Sequence, residues 1–411
     1  VGMSNLPDNS VDAIVTDPPY EIGFFSKKWD SSGIAYDLRV WREALRVLKP
    51  GGHLLAFSSC RTQHRMVCAI EDAGFEIRSQ MYWMFGSGWP KGKDIAKAID
   101  KHLGVEREVV DHITVGGPDD ELLEFVGIDI LGGAPLKAGL VVPITVPGSP
   151  EAKMWEGWKT DLKPSVEPIA LARKPFEGTL AANVLKYGTG ALNIDAARIP
   201  LQDWEDLKAG YSDPKNRKAM LSVKMGRGAP NTLEVHYGAM AEGLMKARTL
   251  GRYPSNVLID EEVGGMIDEQ SGPIGGPARE SVASHSWKSE NGRGGFGDRI
   301  AYQLGDLGGA SRFFWCPKVG RSERGEDNEH PTVKPIALMR YLNKLVTPPR
   351  GIVLDPFSGS GSTLLAAIWD DFNFLGFELS DEYAGIVSKR IEREKLAYSN
   401  SLDGARSLLD A

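Results

Sequence analysis

Cysteine is scarce in this chain. There are three in 411 residues (Cys60, Cys68 and Cys316), far apart and without a CxxC pair. That argues against a disulfide framework and against a zinc site, leaves no metal to assign, and fits a reducing cytoplasm. No apolar run approaches the length of a membrane-spanning helix, and no basic start with an apolar centre marks a signal peptide. A cationic surplus is lacking too, because the formal net charge is −7. The Gly-Lys-Ser/Thr of a phosphate-binding loop does not occur. What remains is ordinary for a soluble globular protein, with 42% apolar and 25% charged residues. The length predicts one large domain with insertions, or two domains.

The total charge hides an uneven distribution. Nine Lys or Arg face three acids between Lys208 and Arg252, whereas eight acids face one arginine between Glu106 and Asp129. The first segment has the footprint of a surface that meets polyanions. A solvated loop accounts for the same charges equally well.

Strands and helices alternate at both ends of the chain. Val11–Thr16 reads as a strand, and Tyr36–Lys49 as a helix with apolar spacing at Leu38, Trp41, Leu45 and Leu48, closed by Lys49-Pro50-Gly51-Gly52. A strand over His53–Ser58, a helix over Thr62–Ala73 and a strand over Phe75–Phe85 follow. The rhythm predicts a parallel sheet with helices on both faces. It breaks from Gly86, with an irregular insertion over 106–150 and a further strand over Glu167–Pro175. Residues 176–312 are rich in Gly, Ser, Asn, Arg and Lys. The alternation returns with a helix over Ile336–Val346, a strand, glycine turn and helix within 351–369, a strand near 372–380 and a helix over Asp381–Ala397. The expected organisation is therefore 1–175 as one half of a domain, 176–312 as an insertion, 313–398 as the other half and 399–411 as a tail.

The glycine turn is "LDPFSGSGSTLLAA", Leu354 to Ala367. Such a turn lets a ligand approach the backbone and meet the start of a helix. A dinucleotide fingerprint needs a third glycine and begins directly after the strand; here Asp355-Pro356-Phe357 intervenes. An acid at the strand tip suits an ammonium group better than a pyrophosphate. Glu378, at the end of the next strand, is placed to take both hydroxyls of a ribose. Together they suggest a nucleoside that carries an amino acid, namely S-adenosylmethionine. A tight turn serving helix packing is the plainer alternative.

Asp17-Pro18-Pro19-Tyr20 ends the first strand. An exocyclic amino group on a nucleobase is a weak nucleophile, because its lone pair is delocalised into the ring. Two acceptors for its N–H groups help to free that pair, and the Asp17 side chain with the Pro18 carbonyl supplies two. The prolines stiffen the backbone that presents them. Tyr20 offers a flat face on which an extruded base stacks. Methylation at cytosine carbon-5 needs a cysteine nucleophile, typically after a proline, and no cysteine here follows one.

The order of "TDPPY" (16–20), "KPGG" (49–52), "EPIALARK" (167–174), "HPTVKP" (330–335), "DPFSGSGST" (355–363) and "GFELS" (376–380) resembles the DNA amino-methyltransferases of adenine N6 and cytosine N4, in their permuted (beta-class) group. "FGSGWPKG" (85–92) is similar to phage and prophage members. The resemblance covers about 1–175 and 313–397. It implies an α/β, Rossmann-like S-adenosylmethionine-dependent methyltransferase sheet, circularly permuted, with an inserted target-recognition region. It further implies a target-base site at Asp17, Pro18, Pro19 and Tyr20. S-adenosylmethionine would be held by Asp355, Phe357, Gly359, Gly361, Ser362, Thr363 and Glu378, with Thr332 and Lys334 at its methionine end. DNA contacts fall to Trp89, Lys91, Lys215, Arg217, Lys218, Lys224 and Arg227. The implied partner is double-stranded DNA in the cytoplasm of a bacterial or phage-infected cell, and a cognate restriction endonuclease is a partner such enzymes admit.

The expected reaction is site-specific methylation of adenine N6 in duplex DNA, by base flipping and direct transfer. Asp at the first position of the motif favours adenine; cytosine N4 is the alternative, and a catalytically decayed DNA-binding protein on the same fold is a second. Protein or RNA amide methyltransferases carry a similar Asn-Pro-Pro-Tyr but place the cofactor motif first, which counts against them. One departure concerns a strand closing in Gly-Asp that relatives carry ahead of "LPDNSVD"; its lack here predicts either an incomplete N-terminus or a missing central strand.

Overall fold

The structure, a computed structural model, describes residues 2–23, 28–86, 92–115, 140–200, 246, 249–272, 279–282, 300–303, 310–315 and 333–409. In chain order its elements are β1 (Val11–Thr16), α1 (Leu38–Val47), β2 (Leu48–Phe57), α2 (Gln63–Asp72), β3 (Glu76–Met84), α3 (Ile95–Leu103), β4 (Val109–Val115), β5 (Leu140–Thr145), α4 (Pro150–Met154), β6 (Val166–Arg173), α5 (Leu180–Tyr187), β7 (Val257–Ile259), α6 (Glu261–Ser271), β8 (Arg279–Val282), β9 (Ile300–Gln303), α7 (Ile336–Val346), β10 (Ile352–Asp355), α8 (Ser362–Trp369), β11 (Asn373–Gly376) and α9 (Asp381–Leu409). The chain divides into two compact units. Val1–Leu192 joins Lys318–Ala411 in the first, and Asn193–Pro317 forms the second.

In the first unit the strands lie in the order β11-β10-β1-β2-β6-β3. Both ends of the sequence thus build one sheet, with β1 and β10 paired in parallel through Ala13↔Val353 and Ile14↔Leu354. β1 is buried at every position, as a central strand covered on both faces must be. Ile14, Leu54 and Ala56 share a core with Trp41, Ala44 and Val47 of α1 and with Met66, Ala69 and Ile70 of α2. The alternate residues Ala13, Val15, Leu55 and Phe57 are equally buried but lie outside that cluster, on the opposite face. α8 is buried from Ser362 to Ile368, so it sits inside the unit without an exposed face.

Several expectations are corrected. The sheet is mixed, because β6 runs antiparallel to both β2 and β3. Lys49-Pro50-Gly51-Gly52 does not end a helix; it lies inside β2, where the β1–β2 register shifts between Val11 and Ala13. Gly51 takes φ +79° there while its N–H donates to Lys174 O at 3.0 Å, and a Cβ would overlap Asn183. This is a bulge at the strand entry, for which glycine is the fitting residue. The insertion near 106–150 is not wholly irregular: β4 and β5 form an antiparallel hairpin beyond α3. The final helix runs on to Leu409, so the expected tail from 399 is helical through that residue. The centre of the sheet is filled by β10, β1 and β2 in unbroken contact. β11, the edge partner of β10, is only partly buried.

In the second unit, β8 and β9 pair antiparallel and Leu258 bridges to Trp315. Asp268 of α6 accepts from the Ser311 N–H at 2.8 Å and from its hydroxyl at 2.6 Å.

Candidate active site at the carboxyl edge of the sheet

Parallel pairing of β10, β1 and β2 brings their carboxyl ends to one edge, and the reversed β6 brings its amino end there. Asp17, Asp355 and Glu167 therefore meet at this edge although they are far apart in sequence.

β1 stops at Thr16 because Pro18 and Pro19 have no N–H to continue the ladder. The following turn is tied down twice. The Thr62 hydroxyl, ahead of α2, donates to Tyr20 O at 2.7 Å. The carboxylate of Asp30, itself 1% exposed, accepts from the N–H groups of Glu21 and Ile22 at 2.9 and 3.2 Å. Asp17 is thereby held at a fixed point rather than on a free loop.

Lys334, which enters this site from the segment ahead of α7, donates to Asp17 Oδ2 at 2.6 Å and lies 3.3 Å from Glu167 Oε2. Tyr20 donates its hydroxyl to the same Glu167 oxygen at 3.0 Å. The ammonium also sits 5.3 Å from the Tyr20 ring centre and 5.0 Å from that of Phe57. Burial raises the Tyr20 phenol well above its ordinary value, and the neighbouring carboxylates add to this. Burial also raises the Glu167 carboxyl, opposed by the Lys334 charge. For Lys334 burial works against the ammonium, but Asp17 and Glu167 outweigh it and the net direction is upward. Asp17 Oδ1 is buried and has no hydrogen-bond partner among the described residues.

The glycine turn lies beside this cluster. Thr16 donates its hydroxyl to Asp355 Oδ1 at 2.6 Å, and the Phe357 N–H donates to the same oxygen at 3.1 Å. Asp355 is 2% exposed, and burial pushes its carboxyl up to about 6 against the hydrogen bonds from Thr16, Thr363 and Phe357. Gly359 and Gly361 take φ +49° and +84°, and Gly361 caps α8. The Gly359 N–H donates to Glu378 Oε2 at 2.8 Å; Leu379 and Ser380 N–H groups donate to Oε1 at 2.8 and 2.9 Å. Glu378 is thus held by neutral backbone donors: Oε1 accepts two of them, and Oε2, with one, keeps an open acceptor site for a hydroxyl. Arg390 of α9 donates to Ser360 O and fixes the turn from behind. Ser362 Oγ is buried without a hydrogen-bond partner among the described residues.

The structure therefore brings Asp17, Tyr20 and Lys334 into one cluster, and Asp355, Gly359, Gly361, Thr363 and Glu378 into another, bridged by Thr16. Pro18 is buried and Pro19 half-buried beside Asp17. The Phe357 ring packs 6.5 Å from Trp41. Thr332, Trp89, Lys91, Lys215, Arg217, Lys218, Lys224 and Arg227 lie outside the described residues. Sequence reasoning overlooked Thr16 and Glu167. An acid opening an otherwise apolar strand, "VEPIALA", was the available signal for the second.

An acidic strand tip, a glycine turn onto a buried helix and a second acid beyond the next strand, all at the carboxyl edge of an α/β sheet, form the kind of edge at which such folds bind ligands. The chain belongs to the N6/N4 methyltransferase family of DNA methylases, which it matches over residues 11–389. It is 27% identical to DNA adenine methyltransferase YhdJ of Escherichia coli over 164 residues, 38% of this chain and 46% of that protein. It is 46% identical to the type II methyltransferase M.HindIII of Haemophilus influenzae over 66 residues, 16% of this chain and 21% of that protein. The chain thus spans less than half the length of these relatives. Among solved structures it is similar to M1.HpyAVI in complex with SAM (TM-score 0.37, 15% identical, covering 95% of this chain and 91% of that one). It is also similar to PvuII DNA methyltransferase, cytosine-N4-specific (TM-score 0.39, 13% identical, 98% and 89%). Among the described residues no helix is long and apolar enough to cross a membrane.

Proposed function

We propose that this chain transfers a methyl group from S-adenosylmethionine to the exocyclic N6 of an adenine extruded from duplex DNA. The observation that carries the reading is Asp17 itself. One carboxylate oxygen is anchored by Lys334 while the other is buried and unpartnered among the described residues, and the adjacent Thr16 is hydrogen-bonded to Asp355 at the glycine turn. A buried acceptor without a donor is costly, and a ligand N–H removes that cost.

The residues fit the cofactor. Asp355 is a buried carboxylate suited to an ammonium, Glu378 keeps an open acceptor site on Oε2 for a ribose hydroxyl, and the glycines leave room for close approach. When bound, S-adenosylmethionine supplies an already activated methyl group. The protein's part is then alignment and electrostatics. Asp17 Oδ1 and the Pro18 carbonyl accept from the target amine, and Tyr20, fixed by Glu167, presents its ring to the base. The unit Asn193–Pro317 and the basic segment 208–252 are assigned to DNA, with Lys215, Arg217, Lys218, Lys224 and Arg227 on phosphates and Trp89 and Lys91 near the substrate. A cognate restriction endonuclease accords with the type II relatives.

Adenine is preferred over cytosine because Asp opens the motif and YhdJ is named an adenine enzyme. The test is methylation-sensitive sequencing of DNA from a methylation-deficient host that expresses the chain. N6-methyladenine in one recurrent sequence is expected. N4-methylcytosine would correct the base, and unmodified DNA would overturn the function.

A further inference from the structure

We propose that Glu167 is a positioning and charge-setting residue for methyl transfer: it gives the buried Asp17–Lys334–Glu167 cluster a net negative charge that stabilises the positive charge arriving on the target nitrogen. The inference rests on the proposed function and adds a residue to it.

The geometry is the starting point. Lys334 touches Asp17 at 2.6 Å and Glu167 at 3.3 Å, so two carboxylates share one ammonium. Asp17 and Lys334 alone would be a neutral pair, and a neutral pair is a weak acceptor for a cation. Glu167 supplies the surplus charge. It is also the anchor of the Tyr20 hydroxyl, so the same carboxylate fixes the ring proposed to face the base.

The reaction makes this charge useful. The methyl carbon bonds to the amine nitrogen as its bond to sulfur breaks, and the electron pair of that bond stays on sulfur. Positive charge passes from sulfur to nitrogen, which then releases a proton to Asp17 Oδ1 and on to solvent. Electrons and atoms balance without a further reactant. A fixed negative charge beside the nitrogen, in a water-poor site, favours each stage after the start. Glu167 stands at the nitrogen end, on the Asp17 side of the site, and Asp355 marks the other end at the glycine turn.

The groups facing Glu167 are Asp17, Tyr20, Lys334 and Cys60. Burial raises the Glu167 carboxyl, so its charge is lost as pH falls, from above the ordinary carboxylate range. Transfer should therefore show an acidic limb that belongs to Glu167.

The experiment measures single-turnover transfer from labelled S-adenosylmethionine, kept saturating at every pH so that the pH dependence of cofactor affinity does not enter, to unmethylated bacterial genomic DNA, alongside calorimetric binding of the cofactor. Glu167→Gln keeps the shape and an acceptor for Tyr20 but removes the charge. The expected result is a fall in transfer rate of about ten- to a hundredfold, cofactor affinity within about threefold, and loss of the acidic limb. Glu167→Asp is expected to restore most of the rate and to move the limb. A Glu167→Gln variant with the wild-type rate and limb overturns the proposal while leaving the function intact. A wild type that transfers nothing overturns both. Where Glu167→Gln fails to fold, the Glu167→Asp profile decides, because an unmoved limb assigns the titration elsewhere and overturns the proposal.

Discussion

Thr16 and Asp355 are 339 positions apart in sequence, yet the Thr16 hydroxyl donates to Asp355 Oδ1 at 2.6 Å. This bond joins the tips of β1 and β10, and so joins the proposed base site to the proposed cofactor site. It also tunes Asp355, since a donor to the carboxylate opposes the effect of burial.

Cofactor affinity should therefore depend on pH. In the free protein burial pushes the Asp355 carboxyl up to about 6, above the ordinary carboxylate value. Between roughly 4 and 6 the native state holds a proton that the unfolded chain has released, so stability without ligand falls as pH rises through that window. An ammonium ligand needs the ionised form. Calorimetric affinity for S-adenosylmethionine is expected to drop about tenfold per unit below pH 6 and to level off above about 7. Thr16→Val should move the transition to higher pH. A flat profile would remove Asp355 from the ammonium site.

A second buried acid holds the two ends of the chain together. Asp12, 5% exposed, accepts from the Ile352 N–H at 2.8 Å and pairs with Lys49 at 2.6 Å. Asp12→Ala would strand a backbone donor and a partly buried ammonium. A loss of about 2–4 kcal/mol is expected in chemical denaturation. Because the residue lies at the far end of β1 from Asp17, cofactor affinity of the folded fraction should stay near wild type.

Gly361 caps α8 at φ +84°, and a Cβ there would come 3.0 Å from Val387. Gly361→Ala should cost roughly 1 kcal/mol or more in stability through backbone strain alone. Calorimetry should show cofactor binding weakened further, since the turn can no longer hold Gly359 N–H on Glu378.

What the sequence disclosed was set by range. Val11–Thr16 and Ile336–Val346 were legible because their apolar patterns are local and long enough to read, and both match the structure residue for residue. Strand direction was not legible: β6 is as apolar as β2, and only its connection decides that it runs antiparallel. "KPGG" misled for a related reason, since proline and glycine signal a helix end and a bulged strand entry alike. At the site, Asp17 and Asp355 stood out as acids ending apolar runs, which a strand tip explains. Lys334 was noticed, but its pairing with Asp17 and Glu167 was not, because they come from segments about 320 and 170 positions away in the chain, and no spacing rule spans such distances.

DNA binding should weaken with salt. The basic segment between Lys208 and Arg252 is assigned to phosphates, and each neutralised phosphate contributes about −0.9 to the slope of log affinity against log salt. Replacing Lys215, Arg217 and Lys218 with alanine should make the slope shallower by roughly 3 and weaken binding to all sequences alike. Affinity that ignores salt in the parent chain would remove the assignment.

Asp17→Ala tests the centre of the proposal. The substitution leaves Lys334 beside Glu167, so the ammonium keeps a partner and Tyr20 keeps its anchor. The turn itself is held by Thr62 and Asp30, not by Asp17. Folding and DNA binding should therefore survive with little change. What disappears is an acceptor for the target amine, and with it the means of freeing the nitrogen lone pair. Transfer measured on unmethylated DNA is expected to fall by at least about a thousandfold. Wild-type turnover in this variant would mean that the amine is held by some other group, and the role given to the strand tip would be wrong.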